Sequence, residues 1–217
     1  MKLHRETVSE EMFDLLEKLM KEDELRNFRL VGGTALSLLT GHRKSIDIDL
    51  FTGGIDTNFD TQNISTFLSG KYDFKETSLS RLGLFGLINN IKTDFFNHGH
   101  NWLDDGVTVE NIRIASIREI AAMKLHAVST NGTRLKDFVD LALLSSYLSA
   151  TEMINAYRNK YVNSNPLIAL KAMFYYGDID FDQSIELVTG NFKWQPFEKR
   201  LDQMQRYTNK IFPPLLF

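Results

Sequence analysis

The chain has 217 residues, of which 43% are hydrophobic and 24% charged, a balance typical of a globular protein with one sizeable core. It contains no cysteine, which excludes disulfides and thiolate–metal sites. The formal net charge of −3 gives the molecule no overall attraction for nucleic acid, although it is compatible with a local basic groove. Since no window approaches the eighteen apolar residues of a membrane span, we expect a soluble, cytoplasmic protein with no membrane partner.

The N-terminal part of the sequence predicts a helix, a strand and a second helix. Ser9 is a suitable N-cap for an amphipathic helix that continues through EEMFDLLEKLM. A short strand at 28–31 follows, and Gly32 and Gly33 end it. The next helix is brief, with Gly41 as its predicted C-cap.

Strand patterns dominate the next seventy residues. The segment SIDIDLF alternates polar and apolar residues, which predicts a strand. A helix ending near Gly70 and a strand at 72–76 come next. Two further strands, LFGLIN and IKTDFF, are predicted to meet at a turn formed by Asn89 and Asn90, and residues 107–116 supply one more extended segment.

From Ser116 onward the periodicity becomes helical. Ser116 and Glu119 form a predicted capping box, a second helix covers RLKDFVDLALLSSYL, and Thr151 is the predicted cap of a third. A fourth helix is expected from Pro166 to Gly177, and EKRLDQMQRY is expected to be helical. We therefore predict an α+β protein, with a core at 1–115 formed by an N-terminal helix and a small mixed sheet flanked by helices. A helical region at 116–217 is expected to pack on this core.

Two carboxylates in the SIDIDLF strand are the first candidates for chemistry. Side chains alternate along a strand, so Asp47 and Asp49 project from one face while Ile46, Ile48 and Leu50 fill the other. Two carboxylates about 4 Å apart repel by about 4 kcal/mol at an effective dielectric near 20. A hard cation such as Mg²⁺ or Mn²⁺ would offset that repulsion, whereas two solvated aspartates on an edge strand would not need one.

The two glycines before this strand favour a phosphate site. Gly32 and Gly33 lie between a strand and a helix N-terminus, where backbone amides can approach a phosphate without obstruction. Thr34 can add a hydroxyl donor. Turns also need glycine, so the pair alone is a weak signal, but a phosphate site facing a metal site is the combination that nucleoside triphosphate chemistry requires.

A third carboxylate is needed for a two-metal transfer to a hydroxyl. The candidate is Asp94, a polar residue within the strand-like run IKTDFF, with Lys92 as its alternation partner on the same face. An ordinary aspartate at the end of a strand, with no role in chemistry, would give the same sequence pattern. The position of Asp94 after a hairpin turn makes pairing with the strand of Asp47 and Asp49 feasible.

Together these segments resemble a known family. The stretch GGTALSLLTGHRKSIDIDLF is similar to the nucleotidyltransferase signature of the DNA polymerase β-like superfamily. The segments GGTAL, RKSIDIDLF, AAMKLHAV and RLKDFVDLALL resemble the AbiEii/AbiGii-type nucleotidyltransferases, which include toxins of abortive-infection and toxin–antitoxin systems. The matching segments run from about residue 30 to about residue 145.

The resemblance implies a role for each matching residue. Gly32 and Gly33 would bind the triphosphate, while Asp47, Asp49 and Asp94 would ligate Mg²⁺ and Asp94 would also activate the attacking hydroxyl. Lys124 would reach the nucleotide phosphates, and Asp137 would supply the essential acid of a later motif. The residues near Asp137 with a less defined part in nucleotide binding are Arg134, Lys136 and Asp140.

Without the resemblance, the residues of the later motif have simpler interpretations. Lys124 is flanked by apolar residues on a helix, which suits a lysine that reaches a cleft or one that snorkels to the surface. Asp137 and Asp140 share a helix face, and Lys136 can pair with Asp140 at i,i+4, which describes a surface ion-pair cluster.

The leading hypothesis is an enzyme that transfers a nucleoside monophosphate from an NTP to a hydroxyl and releases pyrophosphate. The resemblance makes a tRNA 3′ end the leading acceptor, ahead of a protein side chain or a small molecule, and is compatible with an antitoxin protein as a partner. A second hypothesis is a binding module that keeps this fold without turnover, within a toxin–antitoxin pair. A third, an aminoglycoside-type small-molecule nucleotidyltransferase, shares the first motif but is disfavoured by the Lys124 and Asp137 segments.

Overall fold

The computed structural model describes residues 2–54 and 59–215, and the chain divides into two compact units. The first unit comprises Met1–Gly41 and Ser45–Ala115, and the second comprises His42–Lys44 and Ser116–Phe217. The predicted division into domains stays a prediction, because compactness alone does not show that either unit folds by itself.

The first unit contains one mixed β-sheet. Its strands are β1 (Arg29–Leu30), β2 (Ile48–Thr52), β3 (Phe74–Leu79), β4 (Gly83–Ile88), β5 (Ile91–Asn97), β6 (Val107–Val109) and β7 (Ile112–Ile114). Their order across the sheet is β3-β4-β5-β2-β1-β7-β6. The pairs β2–β5 and β1–β7 are parallel, and the other neighbours are antiparallel.

Three α-helices accompany this sheet in the described part of the first unit: α1 (Glu10–Met20), α2 (Gly32–Thr40) and α3 (Thr61–Lys71). α1 packs near β7, and α3 packs near β3 and β4. One face of the central strands forms the core, since Leu30, Leu50, Phe95 and Ile114 are all buried there. Residues that alternate with them along the strands project from the opposite face.

The second unit is helical in its regular structure. Its helices are α4 (Ile117–Thr130), α5 (Leu135–Leu144), α6 (Ala150–Lys160), α7 (Pro166–Met173) and α8 (Gln195–Arg206). α4 packs against α5, α6 and α7, and α5 packs against α8. Among the described residues, no helix is both long and apolar enough to cross a membrane.

Several predicted element boundaries are confirmed by the structure. The Ser9 side chain caps α1 by accepting the Met12 amide, and Gly41 ends α2 in the left-handed conformation at φ 72°. Asn89 and Asn90, both at positive φ, join β4 to β5. In each case the signal was a short local pattern with one dominant structural solution.

Other boundaries differ from the predicted ones. Residues 107–116 form a hairpin of two strands, β6 and β7, rather than one extended segment. The cap of α6 is Ser149, which forms a complete capping box with Glu152, and not Thr151. Helix α7 ends at Met173, before Gly177. The Ser116 side chain caps α4 by accepting the Glu119 amide, and the Glu119 carboxylate forms a buried ion pair with Lys160.

Candidate functional site

Asp49 and Asp94 lie side by side in the first unit. The parallel register of β2 and β5 places Asp49 opposite Asp94, and directly opposed residues project from the same face of a sheet. Ile48 and Leu50 are buried on the other face, as the alternation predicted. Asp47 immediately precedes β2 and is half-buried. Ile46 was expected on the buried face but is 70% exposed, because the strand begins only at Ile48.

Gly32 makes room for the Asp49 carboxylate. Its φ is 70°, and a Cβ at this position would lie 2.5 Å from Asp49 Oδ2. The Val31 amide donates to the Asp49 carbonyl oxygen at 2.9 Å, which holds the strand beside the start of α2. Gly32 and Gly33 are the first two residues of α2. The first amides of a helix have no intrahelical acceptor, and the helix dipole is positive at this end, so the start of α2 beside Asp49 attracts negative charge.

Thr34 links α2 to the segment that precedes β2. It is buried, and its hydroxyl donates to the Asp47 carbonyl oxygen and lies 2.8 Å from Ser45 Oγ. Its hydroxyl therefore has an internal structural function in this conformation. The predicted contribution of Thr34 to nucleotide binding stays a prediction.

Lys92 faces the carboxylates, as its alternation with Asp94 predicted. Its ammonium lies 3.0 Å from Asp94 Oδ2. Burial alone would lower the pKa of Lys92, but Asp94, Asp47 and Asp49 together raise that pKa above its ordinary value. All three predicted carboxylates therefore act on one ammonium group.

Asp94 also carries an unsatisfied oxygen. Asp94 Oδ1 is buried and has no hydrogen-bond partner among the described residues. Across residues 2–54 and 59–215, no group of three or more His, Asp or Glu side chains is arranged to hold a metal ion. The carboxylates are thus neighbours on one sheet face, in a conformation where Lys92 is their cation.

Lys124, Asp137 and Asp140 form a buried ion-pair cluster in the second unit. Lys124 on α4 lies 2.6 Å from Asp137 Oδ1 and 2.7 Å from Asp140 Oδ2, both on α5. The side chains of the two aspartates are at most 1% exposed. The interpretations as a snorkelling lysine and a surface cluster are therefore wrong for these residues. Helical spacing shows a shared face but not which neighbour covers it.

Arg43 and His42 complete the shell around Asp140. The Arg43 guanidinium donates to both carboxylate oxygens, at 2.8 and 2.9 Å, and His42 Nε2 lies 3.0 Å from Oδ1. Burial alone would raise the pKa of Asp140, but Arg43 and Lys124 hold this pKa well below its usual range. Burial lowers the pKa of His42. Sequence reasoning missed both residues, because their partner lies 97 and 98 positions away.

Asp137 differs from Asp140 in having one oxygen without a hydrogen bond. Asp137 Oδ2 is buried and has no hydrogen-bond partner among the described residues, and Arg134 Nε lies 3.8 Å from it. The Arg134 side chain is 57% exposed, and Lys136 is half-buried in the first turn of α5. The structure thus brings Lys124, Asp137, Asp140 and Arg134 together in the second unit. It brings Gly32, Asp49 and Asp94 together in the first.

Replacing Gly32 by alanine is expected to destabilise the protein. The added Cβ would overlap the Asp49 carboxylate, and alanine at this positive φ costs about 1–2 kcal/mol by itself. Urea unfolding would measure the loss. Gly70→Ala is the matched control, because nothing lies within 4 Å of its Cβ and alanine is the better helix former. Equal stability of Gly32→Ala and wild type would contradict the assigned close approach.

Replacing Asp140 by asparagine is expected to cost about 3–5 kcal/mol, because Arg43 is left buried without its carboxylate. The Asp140 pKa is depressed in the folded state, so its stabilisation is present above the unfolded value near 3.9 and is lost as pH falls further.

Urea unfolding of wild type and Asp140→Asn between pH 3 and pH 7 would measure both effects. The variant should show a smaller loss of stability at the acid end. Asp182→Asn, an exposed position in the same unit, is the control. If the variant had the same acid dependence as wild type, ionised Asp140 would not contribute to the stability that is lost at low pH.

Comparison with known proteins gives the family. The sequence model described as "Nucleotidyl transferase AbiEii toxin, Type IV TA system" matches residues 14–76 and 100–205, which is more than half of the chain. An uncharacterised protein of Aquifex aeolicus is 31% identical over 175 residues, covering 79% of this chain and 84% of the relative.

A solved structure of a proposed nucleotidyltransferase from H. pylori superposes with a TM-score of 0.54 and 17% identity, covering 93% of this chain and 96% of that one. At this identity the likeness concerns the fold, and it confirms the predicted nucleotidyltransferase fold. The two motif regions described above, around Asp49 and around Lys124, both lie within the matched residues. The chain is therefore a nucleotidyltransferase and belongs to the AbiEii toxin family.

Proposed function

We propose that this chain transfers a nucleoside monophosphate from an NTP to the 3′-hydroxyl of a tRNA, with Mg²⁺ or Mn²⁺ as cofactor. The observation that carries the proposal is the pairing of Asp49 with Asp94 beside the glycine start of α2. A carboxylate pair and a helix N-terminus are the parts that a metal–triphosphate substrate needs. Clustering like charges costs free energy, so a binding module without turnover would gain nothing from keeping them.

The carboxylates fit a hard divalent cation. Their donor set consists of oxygens, Asp94 Oδ1 has no hydrogen-bond partner in the described chain, and Lys92 marks the position as attractive to positive charge. Asp47, Asp49 and Asp94 would hold the ion after Lys92 has left Asp94 and the three carboxylates have moved together, because in the described conformation they are not arranged around a metal position. When bound, it would neutralise charge on the triphosphate and favour ionisation of the acceptor hydroxyl.

The chain's own residues would bind the phosphates, orient the acceptor hydroxyl and accept its proton. The amides of Gly32 and Gly33 would bind phosphate oxygens at the start of α2. Asp94 would orient the acceptor hydroxyl and accept its proton. The acceptor oxygen then bonds to the α-phosphorus, the bond from that phosphorus to the bridging oxygen breaks, and pyrophosphate leaves with the electron pair.

Lys124 would act on the phosphates from within its ion-pair cluster. An ammonium group has three N–H donors, and the contacts with Asp137 and Asp140 account for two of them. In the described part of the chain the third N–H has no partner, and it would donate to a phosphate oxygen. In this scheme Asp137 and Asp140 are the residues that orient Lys124, while Arg134 and Lys136 would add positive charge for the nucleotide.

The proposed toxin role is supported by the family description. That description names a type IV toxin–antitoxin system, so an antitoxin protein encoded with this chain is the proposed partner. A tRNA 3′ end is the proposed acceptor because it offers a hydroxyl at the end of a phosphorylated strand. Incubation with α-labelled NTPs, Mg²⁺ and total tRNA would show whether label enters nucleic acid or protein.

Asp49→Asn is expected to reduce labelling of tRNA by at least about a hundredfold, roughly 3 kcal/mol of transition-state stabilisation. Stability without metal should be unchanged or slightly higher, since one negative charge is removed from the cluster. Circular dichroism and thermal unfolding would check the fold, and Mg²⁺-dependent stabilisation should disappear. Asp14→Asn, an exposed position on α1, should retain wild-type labelling. Normal labelling by Asp49→Asn would overturn the metal-site proposal.

A further inference from the structure

A second concentration of charge lies in the first unit, outside the groups described above. A cavity of about 450 Å³ is lined by three arginines, Arg26, Arg29 and Arg113, together with Trp102 and Gly53. None of the described residues that line it is acidic. Three guanidinium groups around one cavity are unexpected in a chain whose formal net charge is −3.

Arg113 contributes positive charge that no carboxylate of the described residues neutralises. Its guanidinium donates to three backbone carbonyl oxygens, those of Met20 at 2.7 Å, Leu25 at 2.9 Å and Phe28 at 3.0 Å. Carbonyls satisfy hydrogen bonds but carry no net charge. The side chain is therefore held rigidly in place while its positive charge remains available to an anion.

In the described part of the chain, Arg29 and Arg26 also carry positive charge that is not paired with a carboxylate. Arg29 donates to the Asp104 carbonyl oxygen at 2.9 Å and lies over the Trp102 ring, 4.8 Å from its centroid. Arg26 is exposed at the rim. Across residues 2–54 and 59–215, none of the three arginines forms an ion pair with a carboxylate.

The cavity adjoins the carboxylates on the same side of the sheet. Arg29 lies opposite Phe51 in the antiparallel pair β1–β2, so their side chains share a face. Asp49 is two residues before Phe51 and projects from that face too. Strand geometry gives a separation of roughly 8 Å between the Cα atoms of Arg29 and Asp49.

We infer that this cavity binds the phosphodiester backbone of the RNA acceptor, an inference that rests on the proposed function. A polynucleotide carries a phosphate at every nucleotide, so a strand whose end reaches Asp49 would place further phosphates along this face. Guanidinium groups suit phosphate because they offer paired N–H donors with a fixed charge. The cluster also supplies local attraction that the net charge of the chain lacks.

Arg26 is the residue to change, because it is exposed and its side chain forms no hydrogen bond within the described chain. Binding of total tRNA to the full-length protein would be measured by fluorescence anisotropy without NTP, at several salt concentrations. Arg26→Ala should weaken binding about three- to tenfold and reduce the slope of log K against log salt by about one. Arg26→Glu should weaken it further. Arg81→Ala, exposed in the β3–β4 hairpin, is the matched control and should bind as wild type.

The dissociation constant for NTP, measured separately, should not change in Arg26→Ala. Unchanged tRNA affinity and salt slope in both Arg26 variants would overturn the inference. So would a loss of NTP binding with tRNA binding intact, which would make the cavity a nucleotide site. Because this assay involves no turnover, it stays distinct from the transfer reaction: failure of transfer with Arg26-dependent tRNA binding would contradict only the catalytic proposal.

Discussion

A fully buried carboxylate has to be matched by positive charge, and Asp140 imposes this requirement on the second unit. Arg43 and Lys124 supply the charge from positions far apart in sequence, and His42 adds a hydrogen-bonding contact. Residues 42–44 therefore belong to the second unit, although their sequence neighbours on both sides belong to the first. The Asp-x-Asp segment begins only three residues after Lys44, so the chain enters it from an anchored position.

The first unit handles its carboxylates differently. Asp49 and Asp94 are placed by strand register, and their charge is offset by Lys92, whose side chain is 54% exposed. An exposed lysine can be displaced at little cost, because its ammonium can return to water. Asp140, by contrast, has no access to solvent and keeps its partners. The chain thus has replaceable positive charge beside Asp49 and Asp94 and permanent positive charge around Asp140.

Much of the local structure could be predicted from the sequence, because short patterns such as the Ser9 cap, the Gly41 cap and the Asn89–Asn90 turn act over a few residues. The same holds for the shared face of Asp49 and Asp94, which follows from alternation once their strands pair. The ion pairs of Arg43 and Lys124 could not be predicted. They depend on which helices pack together. A charged residue at helical spacing gives the same sequence pattern whether its side chain faces solvent or a buried partner. The unsatisfied oxygens of Asp94 and Asp137 likewise leave no trace in sequence.

The register between β2 and β5 has a consequence for how this family can vary. β5 is joined to β4 by a two-residue turn in which both asparagines have positive φ, and its other edge pairs with β2. Inserting a single residue on the β5 side would turn Asp94 toward the core and bring Thr93 or Phe95 to its place. Changes in loop length should therefore be tolerated at other hairpins, such as β3–β4, more readily than at this one. The length of an apparently ordinary turn therefore determines whether Asp94 lies beside Asp49.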